Sequence, residues 1–600
     1  MKPPLVVTGG FGEYRVGHFH AGYDFGTNKK VGQPVFAPLS GHVERIRASG
    51  VGYGRSLYLR TRDGRLLQFG HLDAFAEPMA SWVRAKQDSD GVYEQDLWPE
   101  ASRFPITLGQ RIAWTGESGA GGPHMHFEIR RGDMAYQPQL AGLKVRDDRP
   151  PTIASVTLEP LDDTSYVERS AGPVTRTFGA RPETLRVIGR VRAIVGARDG
   201  TWTGVDRMVP WLTRMEWGNQ WIECRMDSIS WATDMNESDY LYDAGRVTGE
   251  KGIVLWASRG FRPRFIRSSM AIQREAGTIE VRRGDPPLKV ALEARDVAGN
   301  STRRSFVIRP GEPDPDLNRA SELKHLASGN FTALPYGFFR VIGRRIERRE
   351  GMAGSWIAII RPTEGQVLLG STNDMKVRPE AEPHVIATMR PSFENAPVSM
   401  ELPQAARFDS SGYLVRIGVG DSPRGGLPGK SEELTEGNSL FEVEPETEPL
   451  RSPMKLRLPA SERPHAGVYR RDEESWSWVG DAREGKRYEL TSMHLGWFAE
   501  FVDTLAPRIE LHAPPHRATP GPYNRWAVEA KLIEHGSGVD GRKCYLVVDG
   551  KKVAAEWDPE AVVLRWRPLK RPASGTHKYD VIAEDHAGNQ SVRSGTFVLD

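Results

Sequence analysis

Six of the chain's 15 histidines fall in its first quarter: His18, His20, His42, His71, His124 and His126. Three of them, His20, His124 and His126, sit in two patterns that could do chemistry. Around His20 the chain reads Phe19-His-Ala-Gly-Tyr-Asp-Phe25. Strand parity puts His20, Gly22 and Asp24 on one face and the apolar residues on the other. Around His124 it reads His124-Met-His-Phe-Glu-Ile-Arg130. Here His124, His126, Glu128 and Arg130 share a polar face, with Met125, Phe127 and Ile129 behind. Two such strands can build one wall of a groove. Imidazole nitrogens and a carboxylate are the donors zinc prefers, and a catalytic zinc keeps three protein ligands with one position open for water. His20, Asp24 and one histidine of the 124/126 pair would make such a set. The other histidine, with His71, would be left for proton transfer. His18 and His42 lie in no such pattern.

The elements that must position these residues read as strands. The chain has 600 residues, which suggests about four domains. Gly (62) and Pro (43) exceed a sixth of the chain, above the roughly 12% of an average protein, and imply many turns. Short alternating segments bounded by Gly, Pro, Asn or Asp recur, such as Leu288-Lys-Val-Ala-Leu-Glu and Tyr545-Leu-Val-Val-Asp. The expectation is a mainly β, multi-domain protein, with short helices over 78–88 and 318–328. Residues 294–300 (Ala-Arg-Asp-Val-Ala-Gly-Asn) repeat at 583–589 as Ala-Glu-Asp-His-Ala-Gly-Asn. Each lies between apolar strands, so each reads as a hairpin turn in which Gly and Asn accept positive φ. Asp147 and Pro151-Thr-Ile153 match Asp503 and Pro507-Arg-Ile509, and Gly204-Val-Asp206 matches Gly538-Val-Asp540. Two copies of one β-sandwich module follow, and their final hairpins resemble bacterial immunoglobulin-like domains. Pro310-Gly-Glu-Pro-Asp-Pro315 reads as a stiff linker and 421–440 as a long polar loop. The expected division is 1–147, 148–310, a β-rich 311–502, and 503–600. Trp476 and Trp478 share a strand face and read as sandwich core rather than a sugar platform.

Residues 1 to about 145 resemble the LytM/lysostaphin-type zinc metallopeptidases (metallopeptidase family 23), which cut peptide cross-bridges of bacterial peptidoglycan. The matching text runs from His20-Ala-Gly-Tyr-Asp24 through Gly32-Gln-Pro-Val-Phe-Ala-Pro38, Gly52-Tyr-Gly54 and Phe69-Gly-His-Leu72. It continues through Leu108-Gly-Gln-Arg-Ile112 and Thr115-Gly-Glu-Ser-Gly119 to Gly122-Pro-His-Met-His-Phe-Glu128. The resemblance implies an antiparallel-sheet peptidase domain binding one Zn2+ through His20, Asp24 and His126. It implies His71 and His124 as the catalytic imidazoles. Some members carry a Tyr six residues before the first ligand, where it can donate to the oxyanion, and Tyr14 stands at that spacing. Two departures are visible: a longer segment between His71 and Leu108, which could shape a groove wall, and Arg55 where the family often has Asn.

The resemblance also implies a peptidoglycan substrate and a periplasmic or secreted location, with the β modules meeting the polymer or envelope proteins. The N-terminus has no apolar signal core, so an export leader is expected upstream of the sequence given. No run of apolar residues is long enough for a transmembrane helix. Lys plus Arg (81) nearly balances Asp plus Glu (78), which argues against a nucleic-acid grip. Cys224 and Cys544 are too few and too far apart for a disulfide framework or a Cys-based zinc site. The alternative reading is a wall-binding regulator that keeps the fold without cutting. A full set of expected ligands argues against it.

Overall fold

The computed structural model describes residues 1–312 and 431–599 apart from short segments (2–4, 162–164, 171–172, 180–182, 202–207, 243–251, 259–260, 445–448, 473–474, 513, 515–525 and 569–571). Between these regions it describes the backbone of strands from Phe338 to Val419. The protein is mainly β and is built from several sheets.

The N-terminal sheet has the order Val7–Gly9, Tyr23–Gly26, His124–Arg131, Leu66–Phe75, Arg55–Thr61, Gly41–Ala48 and Pro105–Ile106, with every neighbour antiparallel. Alternation works as the sequence suggests in His124–Arg131. Met125, Phe127 and Ile129 are buried in the core with Phe25, Leu67 and Phe69. The Met134–Tyr136 strand extends this sheet to Ser228–Ser230, a strand from the following module.

Residues 152–310 form an eleven-stranded sheet system around the 16-residue strand Glu183–Arg198. Residues 508–599 form two four-stranded sheets enclosing Trp526, Val528, Leu546, Leu564, Val581 and Phe597. Both repeated motifs are hairpin turns of the same chemistry. In one, Asp296 accepts from the Asn300 backbone at 2.8 Å and from its side-chain amide at 2.7 Å. In the other, Asp585 accepts from Asn589 at 2.8 and 2.9 Å. Gly299 and Gly588 take φ of +98° and +86°, values that need glycine.

A helix spans Met79–Asp90, close to the expected 78–88, and ends on Gly91 in the left-handed conformation. The 318–328 segment, the expected linker past residue 312 and Gly204-Val-Asp206 lie outside the described residues. One expectation is corrected: Leu434–Glu444 is a strand, so its residues do not belong to a loop over 421–440. Backbone pairing with Gly496–Asp503 outweighs the polar, Glu-rich composition. Trp476 is buried and meets Phe501 edge-on at 5.0 Å, and Trp478 stands edge-on to Tyr469 at 5.2 Å, which agrees with a core role. Both cysteines are buried free thiols. Among the described residues no helix is long and apolar enough to cross a membrane.

Candidate active site

Three neighbouring strands bring the chemistry together. In the antiparallel register His126 lies opposite Asp24 on one side and opposite Gly70 on the other. Sequence-distant residues 24, 70–71 and 126 therefore meet at one point of the sheet. The expected continuous strand over 19–25 is interrupted: His18–Phe19 and Tyr23–Gly26 are strands, with His20–Gly22 between them. Gly22 explains the break. A Cβ there would stand 2.4 Å from the Phe127 carbonyl oxygen and 2.8 Å from His126 Nε2, so only glycine lets the two segments close on each other. His71 is re-aimed by a different device. Pairing between Arg55–Thr61 and Leu66–Phe75 shifts register at Gly70–His71, and His71 takes φ of +55°.

His20 Nε2, Asp24 Oδ1 and His126 Nδ1 converge. The His20–Asp24 and His20–His126 separations are 2.9 Å, and His126–Asp24 is 3.0 Å. Ligands about 2.0–2.2 Å from a tetrahedral ion stand about 3.3–3.6 Å apart, so a small relaxation admits zinc. The opposite ring nitrogens decide the tautomers. His20 Nδ1 meets the Gly10 carbonyl at 2.6 Å, and His126 Nε2 meets Glu128 Oε1 at 2.7 Å. Both partners only accept, so each of those nitrogens carries a proton, and in the neutral ring the converging nitrogen offers its lone pair. This is how metal-binding histidines are ordinarily oriented. Asp24 Oδ2 accepts from Arg15 at 3.2 Å, which leaves Oδ1 as the single ligating oxygen. A second group, Asp147, Asp199 and Asp296, also brings three possible ligand atoms together, but it offers only carboxylate oxygen and no imidazole.

Glu128 anchors the rear of the site. It is fully buried and also accepts from Tyr53 Oη and Arg130 Nε, both at 2.5 Å. The Arg130 guanidinium in turn lies 4.3 Å from the ring centre of Trp231, contributed by the second module. Burial works against charge on Glu128, but Arg130 and His126 hold it down to about 2. Burial likewise opposes charge on His126, yet Asp24 and Glu128 push it up to about 9, so a zinc entering the site would displace a proton from Nδ1. Asp24 stays well below the usual carboxylate range because His20 and His126 outweigh its burial.

His71 and His124 stand beside the triad with ring centres 4.3 Å apart. His71 Nδ1 bonds the Ser118 carbonyl at 2.9 Å, and His124 Nδ1 bonds the Gly122 carbonyl at 2.7 Å. Each ring thereby turns Nε2 away from those carbonyls, and His124 Nε2 is 3.6 Å from Asp24 Oδ1. Burial, then the neighbouring His124 and His126, pushes His71 down to about 3, so it is neutral at ordinary pH. Tyr14 is placed against the second module: it meets Tyr242 edge-on at 6.1 Å, and burial followed by Asp239 raises its phenol. Sequence reasoning assigned nothing to Glu128, Tyr53, Arg130, Ser118 or the Gly10 and Gly122 carbonyls. Glu128 and Arg130 left a signal by sharing strand parity with His126, and Tyr53, Ser118 and Gly122 by lying in the segments that carry the family resemblance.

The segment between His71 and Leu108 contacts the C-terminal residues. Its helix and the residues after it pack on the last module: Tyr93 Oη donates to Glu556 at 3.0 Å, and Arg84 donates to the Arg567 carbonyl.

No family model matches the chain, and no curated protein does. Among solved structures the chain is similar to the catalytic domain of lysostaphin from Staphylococcus simulans, described as an antimicrobial peptidase, at 23% identity. That match covers 23% of this chain and 91% of the other, with a TM-score of 0.18. It is also similar to the catalytic domain of the prophage-encoded M23 protein EnpA from Enterococcus faecalis, at 24% identity over 22% and 85% of the two chains, TM-score 0.17. The solution structure of lysostaphin matches at 19% identity over 34% and 86%, TM-score 0.18.

Proposed function

We propose that the chain is a zinc-dependent endopeptidase that hydrolyses peptide cross-bridges of bacterial peptidoglycan, acting in the periplasm or outside the cell. The observation that carries this reading is the convergence of His20 Nε2, Asp24 Oδ1 and His126 Nδ1, with both imidazole tautomers set by acceptor-only partners. The chemistry resides in residues 1–147. The modules 148–310, 311–502 and 503–600 place it on the polymer or on envelope proteins.

His20, Asp24 and His126 would hold a zinc ion, which would supply a Lewis acid for the scissile carbonyl and lower the pKa of bound water towards about 7. The other groups follow from their hydrogen bonds. His71 has its Nδ1–H committed to Ser118 and is neutral, so its Nε2 lone pair orients the attacking water and accepts its proton. His124, tied through Nδ1 to Gly122, turns Nε2 towards the same space. Carrying a second proton on Nε2, it is placed to donate to the tetrahedral oxyanion and to the leaving nitrogen, and the proton His71 takes from the water replaces the one given up. Tyr14 is the further candidate for oxyanion donation, and its contact with Asp239 would have to open first.

A regulator that binds the wall without cutting has no use for a complete donor set, so zinc content separates the two readings. The test replaces His20 or Asp24 with Ala in the full chain and follows zinc content and solubilisation of purified peptidoglycan. Both are expected to be lost together. Native activity with the zinc gone would sink the proposal.

A further inference from the structure

The last module reaches the loop that holds both catalytic imidazoles. His71 and His124 each spend Nδ1 on a carbonyl of one loop, Ser118 and Gly122. That loop has little regular pairing of its own, apart from an isolated bridge between Gly116 and His124. Its supports come from elsewhere. Ala120 donates to the Gly52 carbonyl at 3.0 Å. The Arg55 amide donates to Ser118 Oγ at 2.9 Å, and Ser118 Oγ donates to the Leu72 carbonyl at 2.7 Å. Thr27 Oγ1 donates to the Pro123 carbonyl at 2.9 Å, and one further support is more than 400 residues away in sequence. The Gly121 amide donates to both carboxylate oxygens of Glu560, at 3.0 and 2.9 Å.

Glu560 belongs to a short stretch that grips the N-terminal module at three places. Glu556, buried at the start of the Glu556–Asp558 strand, takes the Arg55 guanidinium at 2.7 Å and the Tyr93 hydroxyl. The Trp557 carbonyl lies so close to Gly50 that a Cβ there would come within 1.8 Å of its oxygen. Asp558 then caps the turn by accepting from the Glu560 and Ala561 amides at 3.1 and 3.0 Å, which presents Glu560 to Gly121. Arg55 thus joins the two routes: its side chain ends on Glu556, and its backbone holds Ser118, whose carbonyl holds His71.

We propose that Glu556 and Glu560 of the C-terminal module are positioning residues for His71 and His124, so that docking of this module fixes the catalytic loop. The assignment rests on His71 and His124 being the acid–base pair of the proposed peptidase. Glu560 is the residue to test, because it is exposed and its replacement opens no cavity, whereas removing Glu556 strands the buried Arg55 charge.

The experiment compares the full-length native chain with Glu560→Ala and Glu560→Gln, all with zinc supplied. It measures amide exchange of residues 116–123, zinc content, kcat and KM on purified peptidoglycan. One hydrogen bond's net worth corresponds to about a fivefold change. In Glu560→Ala, exchange at 116–123 is expected to rise and kcat to fall by about that factor, with KM and zinc unchanged. Glu560→Gln, which keeps an acceptor oxygen, is expected to recover most of both. Native exchange in Glu560→Ala would overturn the proposal, as would faster exchange with native kcat. A native chain that releases nothing from peptidoglycan would instead remove the peptidase reading, and the exchange comparison would still decide whether Glu560 holds the loop.

Discussion

Replacing Glu128 with Gln tests whether the ligand geometry depends on the residue behind it. Glu128 is 0% exposed and holds three donors: His126 Nε2 at 2.7 Å, Tyr53 Oη at 2.5 Å and Arg130 Nε at 2.5 Å. Gln keeps the shape but loses the charge and turns half of the acceptor capacity into a donor. The His126 ring can then place its proton on Nδ1, where the metal's lone pair should be. Disturbing such outer partners ordinarily costs about 10- to 100-fold in metal affinity, or about 1.4–2.8 kcal/mol. A second cost is separate. Arg130 is left without its buried carboxylate, and breaking a buried pair costs about 3–5 kcal/mol of stability. A double variant separates the two costs. Glu128→Gln with Arg130→Met removes the stranded charge and should recover much of the stability, but not the zinc affinity. Zinc affinity is read by competition with a chromogenic chelator and stability by denaturant unfolding of the zinc-free chains. Native zinc affinity in Glu128→Gln would refute the tautomer argument, and equal recovery of both quantities in the double variant would show that only folding was at stake.

Further outcomes follow from the same geometry. His71→Asn keeps a residue tolerant of the φ of +55° and cannot titrate; kcat should fall by about 10²- to 10⁴-fold with zinc retained. The His71 pKa is lowered from 6.5 in the unfolded chain to about 3 in the folded one. Its contribution to stability is therefore complete above pH 6.5 and is lost as pH falls from there towards 3. Acid titration of unfolding free energy should accordingly show a shallower loss over that window in His71→Asn than in the native chain. Gly22→Ala should cost about 1–3 kcal/mol of stability and weaken zinc binding, because its methyl meets the Phe127 carbonyl and the His126 ring; thermal melts with and without zinc check both effects. Removing the metal by chelation should lower the melting temperature, and stoichiometric zinc should restore it.

Much of this arrangement is legible in the sequence where chemistry is local. The alternation of His124 to Arg130 already states which side chains share the face of the metal-ligand cluster and which face the core, and the Asp-x-Ala-Gly-Asn turns state their own hydrogen bonds. The helix over 79–90 follows from a segment that lacks strand alternation. Other features depend on partners that are distant in the chain. Parity over residues 19–25 gives the right face for His20 and Asp24, but not the break at 20–22 that the approach of Phe127 imposes. The insertion after His71 gives no sign in the sequence of its contacts with Glu556 and Arg567. The stretch 434–440 reads as part of a loop because its composition is polar and one of its neighbour strands, Gly496–Asp503, lies far along the chain. The acceptor roles of the Gly10, Ser118 and Gly122 carbonyls leave no trace, since backbone acceptors have no residue type.

The central claim is that the His20–Asp24–His126 set makes a zinc peptidase of the N-terminal module. It is tested most directly by titrating zinc into the metal-free full chain while following new amino groups released from purified, cross-linked peptidoglycan, with the fragments identified by mass spectrometry. The account predicts release that rises to a plateau at one zinc per chain, with fragments cut within the peptide cross-bridges. Release that is independent of zinc, or none at one bound zinc per chain, would contradict it.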